Sequence, residues 1–431
     1  MKFKRVNIAL IGLGNIGSYF FNTLKKNRII IASKTGKLPI IKYVSARNKL
    51  KKRKIKFTKS QWVNNPLDLV KKNDVDIIVE LIGGAGGIAK KLVFSSLRNK
   101  KHVITANKSL ISTYGDQLAV IAEKNKVNLE YEAAVAAGIP IIRSVKEGLI
   151  ANKINKIYGI LNGTTNFIIS NMEKSGNKFN DVLKVAQKLG FAEANPTSDL
   201  SGKDVAEKIK ILSSISYNKF LSKGKMLMEG IENIDQSDIM NAEKLGYKIR
   251  LLGISEIIKN QLSERVHPCL VSSNSYIGKI NGVLNAVVVD GQPQGKTILQ
   301  GEGAGPGPTT SALISDLCSI LRGNIKYPFG VSYKQRKKIN KFNFLKHKFS
   351  VYLRLEVKDK FGVLSAVTSV LAKNKISIKR VIQIPSRKNK SATIIIISHI
   401  SVEKNFNKSI KDLKKNSFLL KNPKIIRIED V

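Results

Sequence analysis

Glu193, Asp199, Asp204 and Lys208 crowd into the segment Gly190-Phe-Ala-Glu-Ala-Asn-Pro-Thr-Ser-Asp-Leu-Ser-Gly-Lys-Asp-Val-Ala-Glu-Lys208. Carboxylates so close to an amine can hold a polar substrate, and a carboxylate beside a lysine can tune it for proton transfer. Asn195-Pro196 and Ser201-Gly202 are turn signals. The run from Asp204 to Leu212 then has helical spacing, which puts Asp204 and Lys208 four apart on one face. A plainer reading fits the same residues. Ser201-x-x-Asp204 is a capping-box pattern, and an Asp–Lys pair at i, i+4 is common on solvated helices.

The elements that would position such chemistry begin at the other end of the chain. Val6-Asn-Ile-Ala-Leu-Ile11 is an apolar run leading into Gly12-Leu13-Gly14-Asn15-Ile16-Gly17, and a helix-like segment, Ser18 to Lys26, follows. This is the context a dinucleotide fingerprint requires. Gly12 makes the tight turn, Gly14 lets backbone approach a pyrophosphate, and Gly17 permits close helix packing. The N–H groups of the helix start would bind the anion.

Further apolar runs alternate with helices, as in a Rossmann-like, doubly wound α/β domain. They are Ile40–Ser45, Asp76–Ile82 and Lys101–Thr105, with a helix over Ile88–Arg98. Ligands sit at the carboxyl ends of such strands, so Arg47, the Glu80–Gly84 turn with Gly83, and Thr105–Lys108 are candidates to line one crevice. A second region, from about 133 to 325, mixes β-like runs (Lys156–Leu161, Val283–Val289) with amphipathic helices. It closes with a glycine-rich stretch around Gly303 and a helix over Ala312–Leu321. A basic linker follows. The last stretch reads βαββαβ, a ferredoxin-like module: strand Ser350–Val357, helix Val363–Lys373, strands Ser377–Ile384 and Ala392–Ser398, helix Lys408–Asn416, strand Lys424–Ile428. The boundaries expected are 1–132, 133–332, 333–348 for the linker and 349–431. The last helix of the second region, about 305–322, is expected to pack back on the first.

Composition narrows the class. A chain of 431 residues with 42% hydrophobic content can bury a large core, and no apolar run is long enough to span a membrane. The start Met-Lys-Phe-Lys-Arg-Val leads toward a strand rather than a secretory apolar core, so a cytoplasmic protein is expected. Two cysteines make neither a disulfide framework nor a zinc site, and Cys318 reads as a buried helix residue. The net charge of +44 comes from lysines spread along the chain, with clusters at Lys49–Lys56 and Lys334–Lys341. That pattern argues for a drift of composition rather than a specific nucleic-acid surface.

Taken together, these residues resemble homoserine dehydrogenase of the long bacterial type that carries an ACT domain. The resemblance rests on Ala186 through Gly190, Asn195-Pro196, Asp199-Leu200, Gly202, Asp204 and Lys208. Val79–Gly84, Thr105–Lys108, Tyr131–Pro140, Leu161-Asn-Gly-Thr-Thr-Asn166 and Gly303–Gly305 add to it, in the expected order. That family interconverts L-homoserine and L-aspartate 4-semialdehyde with NAD or NADP, on the way to threonine, methionine and isoleucine. The resemblance implies that Lys208 is the acid/base, oriented by Asp204, and that Lys108 polarises the reacting oxygen. It implies that Glu193 binds the substrate ammonium, that Asp199 supports that pocket, and that Asn162, Gly163 and Thr164 line it. Gly303 and Lys108 are implied in cofactor binding. A monovalent cation, sodium, is implied near Glu132, Val135, Ala137 and Ile139, held largely by backbone carbonyls; a tight small-residue turn between two domains is the alternative there.

Cofactor choice is read at the end of the second strand. Ser45-Ala46-Arg47 stands where NAD-preferring sites carry an acid, and an arginine suits the 2′-phosphate of NADP. NADP is therefore favoured, with NAD the alternative. Residues 350–431 resemble an ACT domain with Asp359-Lys-Phe-Gly-Val-Leu364 at its ligand turn. Many relatives have Pro at the place of Phe361. Threonine feedback is one expectation for this module and a dimer-forming role the other; a homodimer or homotetramer is expected by analogy. An acylating aldehyde dehydrogenase would need a cysteine nucleophile, and neither Cys269 nor Cys318 lies in a suitable turn.

Overall fold

Five apolar runs pair as a wholly parallel sheet in the computed structural model, which describes residues 3–386 and 390–431. They are β1 (Lys4–Ile11), β2 (Lys37–Ser45), β3 (Ile77–Glu80), β4 (His102–Thr105) and β5 (Leu129–Glu130), ordered β2-β1-β3-β4-β5. Helices α1 (Asn15–Thr35), α2 (Gly87–Arg98) and α3 (Lys108–Lys124) connect them. The strands are apolar on both faces because both faces are covered. Ile8, Leu10, Ile77 and Val79 pack with Phe20, Phe21 and Leu24 of α1. Ala9, Ile11, Ile78 and Val103 share a core with Leu92 of α2 and Leu110 and Leu118 of α3. The strand order reverses between β1 and β3, so a crevice opens at their carboxyl ends.

Helix α1 is much longer than the Ser18–Lys26 segment expected. It starts inside the glycine signature and ends only at Gly36, whose φ of +76° closes it. Its β-branched stretch at Ile29–Ile31 argues locally against a helix, but Ile31 and Ala32 are buried and tertiary packing wins. Helix Pro306–Leu321 inserts Leu313, Leu317 and Leu321 into the same core cluster as Phe20 and Leu24, so a late segment of the chain completes the first domain. Cys318 is half-buried on this helix rather than fully buried. Among the described residues no helix is long and apolar enough to cross a membrane.

The second sheet is mixed. Lys153–Ile160, Tyr247–Ile258, Gln261–Ser272, Leu284–Gln292 and Gly295–Glu302 form its first part. It continues without a break into the C-terminal module through Lys424–Ile428, then Lys348–Lys358, Ser391–Ser398 and Ile378–Pro385. The final helix spans Glu403–Leu413, not Lys408–Asn416. Phe406, Ile410 and Leu413 recur at helical spacing and face the module's core, a stripe that the surrounding lysines and asparagines disguise. The basic segment expected as a linker is pinned down. Arg336 is buried, pairs with Asp116 at 2.7 Å, and holds the Lys219 carbonyl at 2.8 Å.

The seam between the two halves of the long sheet is short in backbone terms: Arg427 aligns with Cys269 and Ile428 with Leu270, in parallel. Side chains reinforce it. Arg265 grips Glu429 through two N–H groups at 2.8 and 2.9 Å and also Glu256, while Arg427 grips Glu403 and reaches Glu229 at 2.8 Å. Such forked pairs are strong when desolvated and costly when one partner is lost. Burial works against charge on Glu256, but hydrogen bonding with His347 and the nearby Arg265 overcome it and bring its carboxyl down to about 2. A depressed carboxylate contributes stability above its unfolded value of 4.5, and that stability is lost as pH falls toward the folded value. Acidification from about pH 4.5 toward pH 2 should therefore destabilise the folded chain by on the order of 2 kcal/mol through this group. Glu256→Gln should lower the thermal midpoint at neutral pH and show a shallower acid decline; identical pH profiles in both proteins would assign the sensitivity to other carboxylates.

Candidate active site

The glycine turn is built as its spacing requires. Gly12 has φ of +97°, and a Cβ there would lie 2.4 Å from the Leu81 carbonyl oxygen at the end of β3. A Cβ on Gly17 would lie 1.9 Å from the Gly12 carbonyl oxygen, so the first turn of α1 is pressed against the glycine turn itself. Gly14 differs: a Cβ there would meet nothing within 4 Å. It caps α1, whose first residues, Asn15, Ile16 and Gly17, offer N–H groups without helical partners. Leu13 is buried between them. The turn thus leaves an open face with amide donors beside it, which fits a pyrophosphate.

The neighbouring strand ends are locked by Glu80, which is fully buried. One carboxylate oxygen accepts the N–H groups of Ile82 and Gly83 at 2.7 and 3.0 Å, and the other accepts the Thr105 hydroxyl at 2.6 Å. The Thr105 hydroxyl in turn accepts the Asn107 N–H, and the Asn107 amide donates to the Gly84 carbonyl at 2.7 Å. The Asn107 side-chain oxygen caps α3 at Leu110. This chain of bonds fixes Gly83, which has open space around it at φ of +84°, and delivers Lys108 to the first position of α3.

Lys108 meets Asp204 across 96 positions of sequence. Its ammonium lies 2.9 Å from one Asp204 oxygen; Lys208 lies 2.7 Å from the other, and Asn162 donates to that same oxygen at 3.0 Å. Lys208 also donates to the Leu161 carbonyl at 2.6 Å. Asp204 and Lys208 are both buried. They sit in the helix Lys203–Ser216, which is capped by Gly202 with no side-chain cap bond, so the capping-box reading of Ser201 and Asp204 does not hold. Burial opposes charge on Asp204, but Lys208, Lys108 and Asn162 hold its carboxyl far below the usual range. Burial likewise opposes charge on Lys108, and Asp204 more than compensates, raising it. Burial, then repulsion from Asp204, pushes Asp199 up.

Of the remaining expected residues, Asn162 and Asp199 join this ion set. Asn162 caps the helix Gly163–Ser175 and spends its amide on Asp199 at 2.8 Å as well as on Asp204. Gly163 has no room for a side chain, since a Cβ would sit 2.6 Å from the Val283 carbonyl oxygen. Thr164 donates to the Phe191 carbonyl at 2.6 Å and so ties this helix to the loop bearing Glu193. Glu193 itself is exposed. Gly303 abuts the buried Asn285 side chain, which makes no hydrogen bond among the described residues. Arg47 stands exposed just past β2. Glu132, Val135, Ala137 and Ile139 are buried together; the Glu132 carboxylate accepts the N–H groups of Ile142 and Arg143, both at 2.8 Å, and burial pushes it up to about 7.

Family models match the chain in three places: homoserine dehydrogenase NAD binding domain at residues 12–132, homoserine dehydrogenase at 140–318, and ACT domain at 351–418. The homoserine dehydrogenase of Neisseria gonorrhoeae is 38% identical over 99% of both chains. The chain belongs to the homoserine dehydrogenase family. It is an NAD(P)-dependent oxidoreductase. The homoserine dehydrogenase of Helicobacter pylori is 37% identical, over 99% of this chain and 100% of its own. The crystal structure of a homoserine dehydrogenase from Thiobacillus denitrificans matches with a TM-score of 0.92 at 36% identity, covering 99% of each chain.

Asn107 lay within the Thr105–Lys108 stretch expected to line the crevice, but sequence reasoning missed two contributors to this homoserine dehydrogenase fold's site: the Ser109–Glu207 bond at 2.6 Å that docks α3 on the Lys208 helix, and Arg53, which reaches the Leu13 carbonyl. Ser109 follows Lys108, which was the only available pointer; Arg53 was hidden in a lysine cluster. Two glycine variants separate fold from cofactor binding. Gly17→Ala should destabilise the first domain by about 3 kcal/mol, because backbone must move. Gly14→Ala, at an ordinary φ of −75°, should leave thermal stability within about 0.5 kcal/mol of the parent while weakening nicotinamide-cofactor affinity at least roughly ten-fold. Calorimetry of binding and thermal melts check both.

Proposed function

We propose that Lys208 is the acid/base of homoserine oxidation and aspartate-semialdehyde reduction. The observation that carries this is its donor arrangement. Two of its N–H directions are taken by Leu161 and Asp204, and the third has no protein acceptor among the described residues. As an ammonium it would donate along that third direction to an aldehyde oxygen. As a neutral amine its lone pair points there and takes the alcohol proton. Lys108 supplies a second positive charge to the same oxygen, and Asp204 keeps both lysines in place. Glu193 and Asp199 would receive the substrate ammonium. When bound, the nicotinamide supplies or accepts the hydride. This reaction would serve threonine, methionine and isoleucine synthesis.

Three finer readings accompany it. NADP is favoured over NAD because Arg47 stands free where an acid would otherwise hold ribose hydroxyls. In support, a hyperthermophilic archaeal homoserine dehydrogenase solved in complex with NADPH aligns over 73% of this chain and 97% of its own, at 26% identity and a TM-score of 0.60. A sodium ion fits the turn at Glu132–Ile139 through main-chain oxygens. The carbonyls of Val135 and Ala137 accept no hydrogen bond among the described residues, whereas the Glu132 carboxylate is already engaged. The C-terminal module is read as a threonine sensor, with Asp359, Lys360 and the fully exposed Phe361 at the turn before helix Val363–Lys373.

Lys208→Ala should fold normally and lose at least about a thousand-fold in kcat, read as NADPH consumption with aspartate semialdehyde. Threonine should inhibit the parent enzyme, and Asp359→Ala should require roughly ten-fold more of it; indifference of the parent to threonine would leave the module a role in association alone.

A further inference from the structure

Arg53 lies in a run of exposed lysines, yet its guanidinium turns inward. Its Nε donates to the Leu13 carbonyl at 3.2 Å. Nη1 donates to the Lys51 carbonyl at 2.9 Å and, at 3.5 Å, to that of Lys49; Nη2 donates to the Asn48 carbonyl at 2.5 Å. The Trp62 ring lies 5.9 Å from the guanidinium carbon. A planar fork can hold several carbonyls at fixed angles, and an ammonium cannot.

These bonds connect two segments with different duties. Leu13 stands between Gly12 and Gly14 in the phosphate-binding turn. Asn48, Lys49 and Lys51 follow Arg47 directly, in a stretch from Ala46 to Thr58 that has no helix or strand of its own. Arg47 makes no hydrogen bond among the described residues, so nothing but the path of this loop sets where it stands. Three of the four Arg53 bonds go to that loop and one to the glycine turn. Beyond Arg53, Asn22 of α1 holds the Lys54 carbonyl at 2.8 Å and anchors the far side.

We propose that Arg53 is a positioning residue for cofactor selection: it clasps the loop 48–51 to the glycine turn and thereby holds Arg47 where a ribose phosphate would meet it. This rests on the reading of Arg47 as the contact for the 2′-phosphate. The phosphate-free cofactor does not use Arg47, so it should feel the loss of the clasp much less.

Steady-state kinetics with NADPH and NADH on Arg53→Ala, Arg53→Lys, Arg47→Ala and the double alanine variant test it. Arg53→Ala should raise KM for NADPH on the order of ten-fold and KM for NADH at least about five-fold less than that. Arg53→Lys, which keeps the charge and covers the case of a misfolded alanine variant, should show the same NADPH-selective rise at a smaller size. In the Arg47→Ala background the Arg53 substitution should add nothing, since what it positions is gone. Equal rises with the two cofactors, full recovery in Arg53→Lys, or additive losses in the double variant would each overturn the clasp. Failure of the underlying reading is told apart by Arg47→Ala alone: an unchanged NADPH-to-NADH ratio there removes the 2′-phosphate role, and the clasp with it.

Discussion

A buried carboxylate bound by two lysines organises this molecule. Asp204 lies at the second position of its helix, where the backbone N–H groups favour a negative charge. That alone would not offset its removal from water, which costs several kcal/mol for an unpaired ion. Lys208 from the same helix, Lys108 from the first domain and Asn162 from the second region supply the compensation. Because these partners come from separate parts of the chain, the ion set also fixes how the two halves of the cleft face each other. Any movement that parts them would strand a charge in a low-dielectric interior.

The first domain is arranged to deliver one end of that set. Gly12 touches the end of β3, Glu80 at that end binds Thr105 on β4, Thr105 positions Asn107, and Asn107 starts the helix that carries Lys108. Each link is a short hydrogen bond or a contact too close for a side chain. The glycine turn and Lys108 are therefore connected through short, mostly buried side chains held by hydrogen bonds, which keeps their separation fixed.

The C-terminal module shares this rigidity in an unexpected way. Its sheet is an extension of the catalytic sheet, joined at Arg427–Ile428 to Cys269–Leu270 and flanked by two buried arginine–carboxylate forks. The helix that carries Lys208 packs on strands of the same sheet, with Val205 beside Gly253 and Gly202 beside Val266. An effector bound at the outer module would thus act on a structure continuous with the site. The basic segment before it, read from composition as a linker, is tied down by Arg336 and follows the catalytic domain.

Some of this was legible in the residues themselves. The glycine spacing specifies a turn because Gly12 and Gly17 leave no room for a Cβ, and the four-residue gap between Asp204 and Lys208 specifies a shared helix face. Both are local rules, satisfied within one turn of chain. The continuous apolar strands likewise announced a parallel sheet covered on both sides. What the residues could not announce was company across long separations: Lys108 meeting Asp204, Arg53 turning from a lysine cluster to the Leu13 carbonyl, or Arg265 finding Glu429. Periodicity says which way a side chain faces and is silent on what faces it. Those pairings follow from the order in which strands assemble and from the need to satisfy every buried charge, and only the folded chain decides them.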